Sequence, residues 1–279
     1  MKLINTKSIA ILLGVYNGSE YLAEQLDSII NQTNQDWTIY IRDDSSTDNS
    51  LDVISRYCKQ YSNFVLIEDT KGNLKSRDNF FELLQRVDSD YYMFCDHDDI
   101  WLSNKIEVTH KKMKFRELEN EDKPILVFTD LKVVNSHLNE LSSSFWRYSG
   151  INPYVNKNFN YMSVYSLTTG CTVMINKEAY LKSLPVSDLA TMHDSWVTLK
   201  TIASGGIVDF VDEATILYRQ HGNNVLGANQ VNSKYFFNKI KLIKKVIVLN
   251  KHNFYMINSI KKTSILKYIY FKLTYYLKR

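Results

Sequence analysis

Three carboxylates, Asp96, Asp98 and Asp99, follow directly on the apolar run Tyr92-Met93-Phe94-Cys95. Carboxylates this close repel one another unless a cation sits among them. A hard-oxygen set of this kind suits Mg²⁺ or Mn²⁺, ions that usually also hold substrate phosphates. An acidic turn capping the next helix is the plainer reading, and the flanking apolar run and Ile100-Trp101 favour the metal. A second acidic turn, Asp43-Asp44-Ser45-Ser46-Thr47-Asp48, has a carboxylate in Asp44 suited to a nucleobase N–H or a ribose hydroxyl, while Ser46, Thr47 or Asp48 caps the following helix. In Met192-His193-Asp194-Ser195-Trp196, Asp194 is either a general base for a hydroxyl proton or a helix N-cap, and spacing does not choose between them. Tyr218-Arg219-Gln220-His221-Gly222-Asn223-Asn224 pairs a possible imidazole ligand, His221, with a cation, Arg219, that can neutralise a diphosphate.

These segments need a scaffold. Ser8–Val15, Trp37–Arg42, Phe64–Ile67 and Tyr91–Cys95 read as short apolar strands, with Ile125–Thr129 and Ile207–Val211 as further ones. Leu22, Leu26, Ile29 and Ile30 recur at helical spacing, with Asn17 or Ser19 as candidate caps; Leu51, Ile54 and Cys58, then Asn79–Val87 and Ser195–Ala203, predict further helices. Strand–helix alternation implies a mostly parallel sheet flanked by helices, with the ligand crevice at the carboxyl ends of the strands. That rule gathers Tyr16-Asn17, Asp43-Asp44 and Asp96-His97-Asp98 on one rim. Neither G-x-G-x-x-G nor G-x-x-x-x-G-K-[ST] occurs, so no dinucleotide fingerprint or P-loop offers another nucleotide reading.

Cys58, Cys95 and Cys171 are odd in number and widely spaced, which argues against a disulfide framework or a zinc site and for a reducing compartment. No run is long and apolar enough for a membrane span. Lys2, Lys7 and the run Ile9–Val15 imitate a secretory signal, but no small-residue cleavage pattern follows, and a cytoplasmic chain is expected. Charge is uneven. Residues 234–279 hold 12 Lys or Arg and no acidic residue, against 22 basic and 30 acidic residues in 1–233. The expected division is a catalytic domain over 1–232 and a basic amphipathic helical tail over 233–279. Tyr235-Phe236-Phe237, Ile240 and Tyr268-Ile269-Tyr270-Phe271 give the tail the character of a helix lying on an anionic membrane surface; helices packed on the domain with solvated lysines are the alternative. The basic tail alone would allow nucleic-acid binding, but the acidic body and the lack of a nucleic-acid motif argue against it.

Taken in order, five stretches resemble the family 2 glycosyltransferases with the GT-A fold, especially the bacterial rhamnosyltransferase-like enzymes of surface polysaccharide synthesis. They are Leu13–Gly18 with Glu24–Ile29, Arg42–Asp48, Phe94–Trp101, His193–Trp196 and Tyr218–Asn224, spanning about residues 8–228. The resemblance implies an inverting transfer from a nucleotide-diphosphate sugar, TDP-rhamnose or a UDP-hexose, to a glycan or lipid-linked hydroxyl at the inner face of the cell membrane. Tyr16 would line the base pocket and Asp44 bond the base. Asp96 and Asp98 would form the D-x-D, with Asp98 nearest Mn²⁺ or Mg²⁺ and His221 completing the metal site. Asp194 would be the base. Lys75 or Arg77, with Arg77 preferred, would approach the diphosphate. Relatives usually carry Gly where this chain has Ser45, so a positive φ there would strain it. Two alternatives remain: an inactive GT-A scaffold in a polysaccharide assembly complex, and a sugar-phosphate nucleotidyltransferase, which typically has a basic Gly-rich N-terminal loop that Tyr16–Glu20 lacks.

Overall fold

The computed structural model describes residues 8–155, 158–165, 167–222, 228 and 243–278. The chain runs β1 (Ile9–Val15), α1 (Leu22–Ile30), β2 (Trp37–Asp43), α2 (Ser50–Gln60), β3 (Phe64–Leu66), α3 (Lys75–Arg86), β4 (Tyr91–Cys95), β5 (Ile100–Trp101) and α4 (Lys105–Glu119). It continues through β6 (Ile125–Asn135), β7 (Glu140–Ser142), α5 (Phe145–Ser149), α6 (Phe159–Val164), β8 (Met174–Asn176), α7 (Lys177–Ser183), α8 (His193–Ala203) and β9 (Ile207–Gln220). Two helices close the described chain, α9 (Ile243–Ile260) and α10 (Ile265–Lys278).

The sheet order is β3-β2-β1-β4-β8-β6-β9-β5, with β7 on β6. β3, β2, β1 and β4 are parallel. β8 is antiparallel to both β4 and β6, and β9 lies parallel to β6. The central strands read as unbroken apolar runs because helices cover both faces. Alternation then deals the side chains out. Ala10, Leu12, Tyr92 and Phe94 enter a core shared with α3, α7 and α8, whereas Ile9, Ile11, Leu13, Met93 and Cys95 enter one shared with α1, α2 and α4. The expected α/β architecture therefore holds.

Several boundaries differ from expectation. Helix α3 begins at Lys75, four residues before the expected Asn79, because its first N–H groups are capped from a distant strand: Leu74 and Lys75 donate to Asp44 at 2.7 and 2.8 Å. Neither Asn17 nor Ser19 caps α1, whose N-cap residue, Tyr21, makes no side-chain capping bond. Strands β6 and β9 run past Thr129 and Val211 by absorbing irregularities around Asp130. Helix α4, carrying a basic and acidic surface with only Lys105, Ile106, Thr109 and Met113 buried, has too narrow an apolar stripe to announce itself in the sequence.

The described part of the basic C-terminal segment is helical and packed on the body. Met256, Ile257, Tyr268 and Tyr275 are buried in the larger core, and Tyr165 stacks on Tyr275 with centroids 4.6 Å apart. The expected boundary at Ser233, together with Tyr235–Phe237 and Ile240, lies outside the described residues. No described helix is long and apolar enough to cross a membrane.

Candidate active site

The carboxyl ends of β1, β2 and β4 form one rim. Two glycines let neighbouring segments approach closely here. A Cβ on Gly18 would lie 2.4 Å from the His97 ring, and Gly14 lets Asn79 of α3 approach. The loop after β1 is laced to the loop after β2. Asn17 N–H donates to Ser46 Oγ (2.9 Å), Gly18 N–H to Ser50 Oγ (2.9 Å) and Ser19 N–H to Asp48 (2.9 Å), while Asn17 Oδ1 accepts from Thr47 N–H (2.8 Å). Tyr16 stands at the edge of this lacing with 46% of its surface exposed. Ser45 has φ 64°, the left-handed conformation that a glycine would adopt without strain.

On β2 the acidic pair divides its work. Asp44 is buried, and its carboxylate accepts from Arg42 Nη1 at 2.6 Å as well as from Leu74 and Lys75 N–H. This makes Asp44 the cap of α3 and the partner of a buried arginine, a structural duty not foreseen for it. About one of its four lone-pair sites is left for a ligand. Asp43 is less committed: Oδ2 accepts from Ser46 N–H at 2.9 Å, while Oδ1 is buried with no hydrogen-bond partner among the described residues. Arg42 itself is buried and bound by Asp44, Asp69, Asn79 and the Gly72 carbonyl. The Arg42 hydrogen bonds hold the Asp69 carboxyl down at about 2.

Beyond β4 the balance reverses. Asp98 Oδ2 lies 2.8 Å from His221 Nε2, which brings together two groups 123 residues apart in the chain. Asp96 shares this region with Asp98 and Asp194; burial first, then those two carboxylates, push it up to about 7. Asp99 beneath is pushed well up by burial and by Asp98 and Asp96. Ligand atoms of Asp96, Asp99 and Cys171 also lie within 4.8 Å of one another. That trio suits a hard cation less well, since Cys171 is a soft ligand whose thiol burial holds protonated. Asp98 touches His221, and Asp96 is near enough to feel the Asp98 charge, although these three are not gathered within 4.8 Å as the Asp96 trio is. Together they would offer oxygens and one imidazole, and a divalent ion would relieve their surplus negative charge. The donor chemistry fits Mn²⁺ or Mg²⁺.

Arg219 corrects one expectation. It is 3% exposed; its guanidinium bonds Glu24 of α1, the Asp98 carbonyl (3.0 Å) and the Ser136 carbonyl (2.9 Å), and its own N–H donates to Asp99 (3.1 Å). It positions the acidic turn, with the Tyr21 ring packed 4.5 Å from its Cζ, and is not presented to a diphosphate. Arg77 is likewise engaged. It bonds Asp78 and the carbonyls of Asp188 and Ala190, strapping α3 to the loop before α8, so the exposed Lys75 is the better-placed of the two cations.

Asp194 sits in the first turn of α8, whose N-cap residue is Met192, so it is not the helix N-cap. Burial pushes its carboxyl up to about 6 against the N–H groups of Ser195 and Gly170, which favour the charged form. A carboxylate tuned this high is suited to accept a proton near neutrality. Its neighbour His193 packs against Phe80 and Phe94 with centroids 4.1 and 4.7 Å away, and a Cβ on Gly170 would reach His193 Nε2 at 2.5 Å. Gly170 thereby seats both the His193 ring and the Asp194 carboxylate. Nothing local in the sequence marks the roles of Gly170 or Arg42, because each acts through partners distant in the chain.

The family model described as Glycosyl transferase family 2 matches residues 10–182. The dTDP-rhamnosyl transferase RfbG of Shigella flexneri is 28% identical over 233 residues, 78% of this chain and 74% of that protein. The Bacillus subtilis putative glycosyltransferase EpsE is 28% identical over 109 residues, covering 39% of this chain and 38% of that protein. S. aureus TarS residues 1–349, solved in complex with UDP-GlcNAc, superposes with a TM-score of 0.57 at 17% identity, covering 91% of this chain and 71% of that one. The mannosyltransferase PcManGT of Pyrobaculum calidifontis, solved with GDP-Man and Mn²⁺, gives a TM-score of 0.58 at 10% identity, covering 98% and 80%. At these identities the two structures show a shared fold.

Proposed function

Because this chain belongs to glycosyl transferase family 2, a family with relatives in bacterial polysaccharide and teichoic acid synthesis, we propose that it is an inverting, divalent-metal-dependent transferase. It moves a sugar, rhamnose from TDP or a hexose from UDP, to a hydroxyl of a glycan or lipid-linked acceptor at the inner face of the cell membrane. One observation carries the reading: Asp98 and His221 meet at 2.8 Å beside Asp96, with Asp194 close enough to raise Asp96. A base and a metal-type donor set then share one rim.

The donor's base lies against Tyr16, with Asn17 holding the loop beneath it and the unpartnered Asp43 Oδ1 and the remaining acceptor site of Asp44 turned to N–H or hydroxyl groups. Asp96, Asp98 and His221 hold the cation, which when bound stabilises the charge that develops on the departing diphosphate. Lys75 approaches the same charge from α3. Asp194 takes the proton of the acceptor hydroxyl as the oxygen attacks the anomeric carbon from the face opposite the leaving group. No covalent enzyme intermediate forms, and the anomeric configuration inverts.

A thermal-shift panel of nucleotide-diphosphate sugars, with and without Mn²⁺, tests this on wild type and Asp98→Ala. A ligand at about 100 times its Kd stabilises by roughly 2.7 kcal/mol, a shift of several degrees for a chain of this size. A Mn²⁺-dependent shift by one sugar nucleotide, lost in Asp98→Ala, names the donor. The absence of any shift in wild type would put the inactive scaffold ahead.

A further inference from the structure

Helix α10 carries two apolar stripes. Tyr268, Phe271 and Tyr275 recur at helical spacing and face the body: Phe271 meets Tyr161 with centroids 5.0 Å apart, Tyr275 stacks on Tyr165, and Tyr268 packs on Phe254 of α9 at 5.5 Å. At about 100° per residue, Leu266, Ile269, Tyr270 and Leu273 fall on the opposite side. They are 77%, 46%, 60% and 62% exposed. A helix needs one apolar stripe to dock on its own domain, and a second, solvent-facing stripe marks a contact with something else.

Charge identifies the partner. The segment 234–279 contains no Asp or Glu; the exposed Lys262 lies in the turn just before α10, and the exposed Lys267 on its flank between the two stripes. An apolar stripe bordered by lysines matches the headgroup boundary of an anionic bilayer, with Leu, Ile and Tyr sunk among the acyl chains and the ammonium groups level with phosphate. No described helix can cross the bilayer, so attachment would lie in its plane. We propose that the outer face of α10 is a fixed docking surface for anionic lipid. It holds the whole domain by a helix already packed on the body, not by a free arm. The inference deepens the proposed membrane-side acceptor and is independent of donor identity.

The test is flotation of the full chain with vesicles of phosphatidylcholine alone or mixed with phosphatidylglycerol. Wild type is expected to float with the anionic vesicles and to be released by salt. Leu266→Glu with Leu273→Glu should lower the bound fraction at least tenfold. Replacing Lys262 and Lys267 by Gln should lower it about fivefold per lysine. Thermal shifts with nucleotide sugars, which read the rim and not α10, should be the same in all variants and keep a failure of docking separate from a failure of the transferase reading. Equal binding to neutral vesicles would overturn the lipid assignment. So would a stable dimer that Leu266→Glu dissociates in sedimentation without any vesicle binding.

Discussion

The two halves of the rim are built on opposite electrostatic plans. On the β2 side a buried arginine is matched by two carboxylates, an amide and a carbonyl, so nearly every group is satisfied. Across the crevice, Asp96, Asp98, Asp99 and Asp194 crowd together, and the arginine beside them is used to hold their backbone in place. A closed polar network stabilises a fold but has little left to offer a ligand. A surplus of one charge destabilises its own side chains and is kept where a partner will relieve it. The balanced half reads as the frame and the unbalanced half as the reacting centre.

The sharpest way to break that contrast is to remove a charge from each side. Asp98→Ala should lower kcat/KM for donor turnover by about 10³-fold or more, the several kcal/mol expected of a lost metal-held leaving group, while denaturant stability stays near wild type or rises. Unchanged Mn²⁺-dependent turnover would remove Asp98 from the site. Arg42→Met should do the reverse. It strands Asp44 and Asp69 and should cost about 3–5 kcal/mol in urea unfolding, as broken buried pairs do. A loss under about 1 kcal/mol would show that the network is not closed.

Acid should separate the halves without mutation. Asp194 must be ionised to accept a proton, and burial places its carboxyl at about 6. Therefore kcat/KM should be level above about pH 7 and fall tenfold per unit below pH 6, and Asp194→Asn should lower kcat about 10²-fold or more without weakening nucleotide binding. Asp69 has a depressed folded value of about 2. Its contribution to stability is present above its unfolded value of about 3.9 and is lost only as pH falls toward 2. At pH 5 the enzyme should thus keep only about a tenth of its activity yet stay folded, with activity returning at pH 7. Circular dichroism that collapses together with activity at pH 5 would refute the separation.

How legible each half was in the sequence follows from the same contrast. Asp96, Asp98, Asp194 and His221 stand in short local runs at strand and helix ends, and the parallel-sheet rule was enough to bring the first two onto a rim with Asp43. The frame was harder to read. Asp44 looks like a ligand group because the N–H groups it caps lie about thirty residues further on. Arg219 and Arg77 look like free cations because the carbonyls they bind carry no mark in the sequence. Side-chain type announces chemistry, whereas whether a charge is already spent depends on contacts distant in the chain. The same holds for α10, where an apolar tally cannot tell the stripe that packs from the stripe that does not.

The smallest effect probes one of the strained points in the balanced half, where Asn17, Ser45 and Lys75 all have positive φ. Ser45 keeps φ 64° between Asp44, which caps α3, and Ser46, which accepts from Asn17 N–H. A left-handed non-glycine residue costs about 1–2 kcal/mol, while introducing glycine returns about 0.4–1 kcal/mol of unfolded-state entropy. Ser45→Gly should therefore stabilise by at most about 1.5 kcal/mol, and Ser45→Val, with a β-branch in the same conformation, should destabilise. If the strain is confined to the frame, neither change alters kcat, and only the denaturation midpoint moves. A Ser45→Gly variant that gained stability but lost affinity for the donor would show that strain in the β2 turn holds Asp43 toward the base, and that the frame is part of the site.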